Sequence, residues 1–410
     1  MHVTMRLAAP AAALLLSLSG VAFADAPKSG NAAFDRAVDL VEENFYLPSA
    51  LPKFEAAVRQ ILTTLPATAT DKDYDAAIGA ALFALDASHT GHFGPDQLDY
   101  YELADIFRFN YRRDLERIFP PDGEITYPGI GIASAEIGGK RFITDIYDGG
   151  AAEKAGLHVG DELLSADGAP FREIDSFRGK VGKEVTLSVR RADGAAPENV
   201  AVAVADLEPT DTLVAAIRQS ATVREVDGRR IGYLHIWTFA GGDVVGAIDE
   251  ALAGPLAGAD ALVVDLRGRW GGAPPDAAEI FLGGTPPFRF IDRNGQGKVS
   301  NLRWHKPVVA IIDGGTRSGL EVFAYALKAK GVPLVGTRTA GNLLGGRGYM
   351  LPDNTLLEIA VAGVEVDGKV LEKNGVLPDV AVPFDIRYSG GKDPQVDTAF
   401  ARARALLTDG

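Results

Sequence analysis

The stretch "KPVVAIIDGGTRSGLEVFAYALKAKG", residues 306–331, decides the fold. A short apolar run bounded by turn residues reads as a buried strand, and the apolar residues after the glycine turn recur at helical spacing. "RRIGYLHI" (229–236), "ADALVVDLRG" (259–268) and "VPLVGTR" (332–338) repeat the apolar run, and helices are expected at about 243–253, 275–282 and 318–330. Strands alternating with helices argue an α/β domain with a largely parallel sheet.

Upstream the pattern differs. Apolar residues in "FDRAVDLVEENF" (34–45) and "YDAAIGAALFAL" (74–85) keep helical spacing, further helix is expected over 97–118, and the Pro/Gly-rich "FPPDGEITYPG" (119–129) reads as a linker. From 129 to about 207 short alternating strands dominate, with the brief helix "AAEKAGL" among them, which defines a mostly β module of about eighty residues. "VDTAFARARALL" (396–407) has the pattern of a docked terminal helix.

Composition narrows the function. The 410 residues include 47 glycines and 23 prolines, are 47% hydrophobic and carry a net charge of −14. That charge repels a phosphate backbone, so neither nucleic acid nor an anionic membrane is an expected partner. The first 26 residues carry Arg6, an apolar stretch over 7–18 and the small-residue pattern Ala22-Phe23-Ala24. They read as a secretory signal over 1–24, too short for a membrane anchor, so the product is expected to be exported, in the periplasm. With no cysteine and six scattered histidines, neither a disulfide nor a metal site is expected, and no cofactor is implied.

Ser318 sits where the turn meets the helix. Ser318-Gly319-Leu320-Glu321 is by itself a capping box. A helix N-terminus equally suits a nucleophile, because the free Gly319 N–H can stabilise an oxyanion. A second donor is expected from Gly271 or Gly272, in the turn after "LVVDLRG".

Two resemblances weigh on that choice. "GIGI" (Gly129, Ile130, Gly131, Ile132) and "GGAAEKAGLHVGDELLSADG" (149–168) resemble a PDZ domain, which implies capture of a peptide C-terminus on the amides of residues 129–132 by strand addition. "IGYLHIWTF", "LVVDLRGRWGG", "PVVAIIDGGTRSGLE" and "EKNGVLPDV" resemble, in order, the tail-specific or C-terminal processing serine peptidases of family S41 and their tricorn-like relatives. The resemblance implies a crotonase-like (ClpP/crotonase) α/β core over 209–410, a PDZ-like domain at 126–208 and a helical region at 25–125. It also implies a serine endopeptidase acting on exported proteins or peptides, with Ser318 as nucleophile.

Many members use a lysine as base, but the corresponding position here is Asn342, and an amide cannot deprotonate a serine. Lys328 and Lys330 lie at least two turns along the Ser318 helix. The tricorn-like branch instead pairs a histidine preceded by a serine with a late glutamate, which matches Ser88, His89 and Glu372. His89 is then the base, expected to titrate near ~6.5, while Glu372 supports it through Ser88. His92 is a decoy, and Arg112-Arg113 and Arg229-Arg230 read as solvated faces. The alternative, motivated by Asn342, is a peptide-binding scaffold without catalysis.

Overall fold

The computed structural model describes residues 28–408 except 275, 284–287 and 301–302. The expected secretory signal lies outside the described residues. Among them, no helix is long and apolar enough to cross a membrane.

A six-stranded sheet forms the centre, in the spatial order Thr222–Val226, Arg229–His235, Ala261–Asp265, Val308–Ile312, Leu334–Gly336 and Val380–Ala381. The first pair is antiparallel and every later pair is parallel. Successive residues along a strand serve opposite faces. Leu262, Val264, Ala310 and Ile312 pack towards helices Val244–Ala253 and Gly319–Ala329. Ala261, Val263, Val309 and Ile311 pack against Ala399, Phe400 and Ala403 of the terminal helix Pro394–Leu406. Burial on both faces explains why these strands read as unbroken apolar runs.

Helices Ala32–Asn44, Leu51–Thr64 and Asp71–Phe83 form the N-terminal region. Phe34, Val38, Val41 and Leu82 share an apolar cluster with Leu344, Leu357 and Ile359 of a hairpin made by Leu344–Met350 and Leu356–Gly363. Strand Gly91–Phe93 joins that hairpin edge through the pairs Gly91 with Glu358 and Phe93 with Leu356. The chain just after the third helix is thereby tied to a sheet formed more than 250 residues later in sequence, which fixes residues 88–90 in space.

The β module has strands Ile132–Ile137, Lys140–Ile146, Glu162–Ala166, Glu184–Arg190 and Glu198–Ala203 in one sheet, with Ile132–Ile137 at its edge. Its core gathers Ile130, Ile143, Leu163, Phe177, Val185 and Val189.

Candidate active site

Ser318 follows the turn after Val308–Ile312, with φ +56° and ψ −129°, a conformation that L residues seldom adopt. Its hydroxyl makes no capping bond to the helix it precedes. The Glu321 carboxyl is buried and accepts from Thr339 Oγ1 (2.6 Å), Gly341 N (2.8 Å) and Asn342 N (2.8 Å), with the Ser318 amide a weaker donor to it. Ser318 N donates to Asn342 O at 3.0 Å. Glu321 and Asn342 thus clamp the elbow from behind and leave the Ser318 hydroxyl facing outward.

Ser318 Oγ lies 3.0 Å from His89 Nε2, and His89 Nδ1 lies 3.0 Å from Ser88 Oγ. Ser88 Oγ donates to Glu372 Oε2 at 2.9 Å, and the Ser88 amide donates to Glu372 Oε1 at 3.1 Å. Leu343 N holds the same carboxyl at 2.7 Å. The proton positions follow from valence. Ser88 has one proton and gives it to Glu372, so it accepts from His89 Nδ1–H, and Nε2 is left with a lone pair towards Ser318. Burial, followed by the charge of Arg317, lowers the His89 pKa to about 4, against the opposing pull of Glu372. This corrects the expectation of a value near 6.5: the site withdraws the ring from water, and the imidazole is neutral across the physiological range.

Gly271 and Gly272 reach the elbow. A methyl at Gly271 would sit 2.4 Å from Gly319 N and 2.5 Å from Ser318 Cβ, and a methyl at Gly319 would sit 2.7 Å from Gly272 N. The Gly319 and Gly272 amides therefore lie side by side. The helix begins at Gly319, whose own N–H falls among the first-turn donors that have no intrahelical acceptor.

Other residues singled out in the sequence lie elsewhere. His92 Nε2 pairs with Thr355 Oγ1 at 2.7 Å, Lys328 Nζ binds Leu377 O at 2.7 Å and Asp379 at 3.0 Å, and Lys330 is exposed. Asn342 lines the pocket and contributes its backbone to the elbow. Gly129, Ile130, Gly131 and Ile132 are all buried, with Ile130 O accepting from Ala152 N and Gly131 O from Tyr147 N.

Sequence reasoning missed the ion network beneath the site. Glu102 is 1% exposed and receives Arg269, Trp270 Nε1 and, at 2.9 Å, Tyr147 OH from the β module. Arg317 lies 3.8 Å from the Trp270 ring centroid, and its Nε donates to Arg269 O at 2.8 Å. The only available signal was the run of arginine and tryptophan in "RGRWGG", which does not name its acidic partner.

A half-buried series of carboxyl, hydroxyl, imidazole and hydroxyl beside two amides, on an α/β domain joined to a mostly β module, has the form of a serine hydrolase. Two family models match the same chain: residues 230–382 match peptidase family S41 and residues 142–191 match the PDZ domain, so the chain contains both kinds of domain. Among characterised relatives, a carboxy-terminal processing protease of Bacillus subtilis is 28% identical over 70% of this chain and 62% of its own length. A carboxyl-terminal-processing protease of Picosynechococcus is 26% identical over 86% and 83%. Tricorn protease homolog 1 of Streptomyces coelicolor is 29% identical over 63% of this chain but 25% of its own. The chain thus spans less than two thirds of the Bacillus relative and most of the Picosynechococcus one. The solved photosystem II D1 C-terminal processing protease superposes with a TM-score of 0.51 at 20% identity over 88% of this chain and 97% of that one, which establishes a shared fold.

Proposed function

We propose that this protein is a serine endopeptidase of the C-terminal processing type, with Ser318 as nucleophile and His89 as base. The observation that carries the reading is the unbroken contact series from Glu372 through Ser88 and His89 to Ser318, drawn from three distant parts of the chain. His89 Nε2 takes the Ser318 proton as Oγ attacks the substrate carbonyl, and the oxyanion meets the N–H groups of Gly319 and Gly272. Gly271 keeps that space open. His89 then passes the proton to the departing amine, and a water activated by the same imidazole hydrolyses the acyl enzyme. Ser88 and Glu372 hold the ring in the tautomer that has a lone pair on Nε2.

The same reading assigns a crotonase-like core over 209–410, a PDZ-like domain over 126–208 and a helical region over 25–125. It makes the product of the secretory signal an exported, periplasmic protein whose substrates are proteins or peptides. The PDZ-like domain takes substrate C-termini at residues 129–132. Because all four are buried, this requires the loop to be uncovered, and a terminal carboxylate should bind more tightly than the amidated peptide.

The decisive experiment is labelling with a fluorophosphonate. A single adduct at Ser318, absent from Ser318→Ala together with peptide cleavage, is the expected result. A protein that binds peptides but takes no label and cleaves nothing would be a scaffold.

A further inference from the structure

The pocket at Ser318 has a volume of about 220 Å³ and is walled by Leu103, Ile106, Phe107, Trp270 and Leu344. His89, Arg317 and Asn342 also line it, and one acidic side chain enters. Glu358, on strand Leu356–Gly363, is 5% exposed and lines the pocket. A methyl placed on Gly346 would sit 2.6 Å from Glu358 Oε1 and 3.1 Å from His89 Cδ2, so the carboxyl and the imidazole flank the same bare glycine. The carboxyl lies within the reaction space rather than behind it.

Glu358 has no hydrogen-bond or ion-pair partner among the described residues. That sets it apart from Glu321, Glu372 and Glu102, each held by several donors. Arg317 is the nearest compensating charge, yet it forms no ion pair with Glu358, because its guanidinium is stacked on Trp270 and its Nε is spent on Arg269 O. Burial raises the Glu358 pKa to about 7, with Arg317 opposing and Asp99 adding to the rise. An unpaired carboxyl in an apolar pocket is costly. The cost falls when a donor with an apolar stem enters, since the stem covers the walls and the head satisfies the acid.

We infer that Glu358 determines specificity by receiving the ammonium or guanidinium group of a lysine or arginine that flanks the bond attacked by Ser318. The stem of that residue lies along Leu103, Ile106 and Phe107. This inference rests on the peptidase reading, and its test is chosen to fail separately.

Peptides identical except for lysine, arginine, leucine or glutamine, placed in turn on each side of the cleaved bond, are compared by kcat/KM with the full chain. On one side, lysine and arginine are expected to exceed leucine at least tenfold, and Glu358→Gln is expected to reduce that ratio tenfold or more. A preference for leucine, or a ratio that Glu358→Gln leaves unchanged, overturns the inference. The same peptides are titrated calorimetrically into Ser318→Ala with and without Glu358→Gln. Lysine selectivity that vanishes in the double variant supports Glu358 even if the native protein cleaves nothing, in which case only the peptidase reading fails. Equal affinity for lysine and leucine peptides in Ser318→Ala removes the inference whatever the turnover.

Discussion

Ser318 holds a backbone conformation suited to glycine, with no bond from its own hydroxyl to the helix. Such strain is typically worth ~1 kcal/mol or more and persists where the surroundings enforce it. Ser318→Ala keeps the strained φ and loses no cap, so its melting temperature should stay near that of the native protein while labelling and turnover vanish. Ser318→Gly should also be inactive but more stable by ~1 kcal/mol, measured by denaturant titration; a destabilised glycine variant would contradict the strain. His89→Ala should lower kcat/KM by orders of magnitude, whereas alanine at Lys328 or Lys330 should leave it within about twofold. Because burial depresses the imidazole pKa to about 4, the protonated, inactive form accumulates only well below neutrality. Measured in Glu358→Gln, so that the acid near 7 in the same pocket does not contribute, the acid limb of kcat/KM should therefore fall below 6.5, towards 4, and a limb at or above 6.5 would mean that the ring is not desolvated during catalysis. Ser88, His89, Glu372 and Ser318 were legible because each sits in a short motif. Glu102, Arg317 and Glu358 were not, since what distinguishes them is burial and the presence or absence of a partner, and neither has a local sequence pattern.

At the scale of elements, the strand, turn and helix of residues 306–331 followed the sequence expectation closely, as strand Val308–Ile312 and helix Gly319–Ala329. The expected helix at 275–282 is a 3₁₀ segment, Ala277–Phe281, and the hairpin over 344–363 went unread. The reason is physical: "LLGGRGYM" places adjacent glycines inside a strand, which weakens the periodic signal, and one of them, Gly346, is the bare surface between His89 and Glu358. The turn at Gly271 supports a sharp test. An added methyl there collides with the backbone of Arg317 and Gly319 and with Ser318 Cβ, so Gly271→Ala must displace the nucleophile elbow or the loop. A fall in turnover of at least a hundredfold is expected, the scale of losing one oxyanion donor, with the fluorophosphonate rate falling in parallel. Normal labelling of a folded Gly271→Ala would show that this close approach is not needed.

Across the whole molecule, the β module and the peptidase-like core meet at several points: Tyr388 bonds Glu162 and Gly160, and Glu102 joins the module to the loop beneath the active site. Glu102 belongs to helix Leu98–Ile106, yet it accepts from Arg269 and Trp270 of the loop that leads to Gly271 and from Tyr147 of the β module. Tyr147 also packs edge-on to Trp237 at 5.2 Å, and Asp148 accepts from Trp237 Nε1 at 2.9 Å. Without Glu102, Arg269 keeps Asp99 at 2.6 Å, but the buried Trp270 Nε1–H and Tyr147 O–H lose their acceptor, which costs about 1–3 kcal/mol for each unsatisfied group. Glu102→Ala should therefore lose ~2 kcal/mol or more and loosen the loop beneath the oxyanion position, so activity should fall with stability. Tyr147→Phe removes only the hydrogen bond from the β module and leaves Arg269 and Trp270 on the carboxyl. It should cost ~1 kcal/mol and leave the loop in place. If Glu102 couples the two parts, Tyr147→Phe should alter peptide cleavage more than labelling of Ser318 by a small fluorophosphonate, because the small probe needs only the elbow while a peptide must also pass the β module. Equal effects on both reactions would confine the role of Glu102 to the stability of the core.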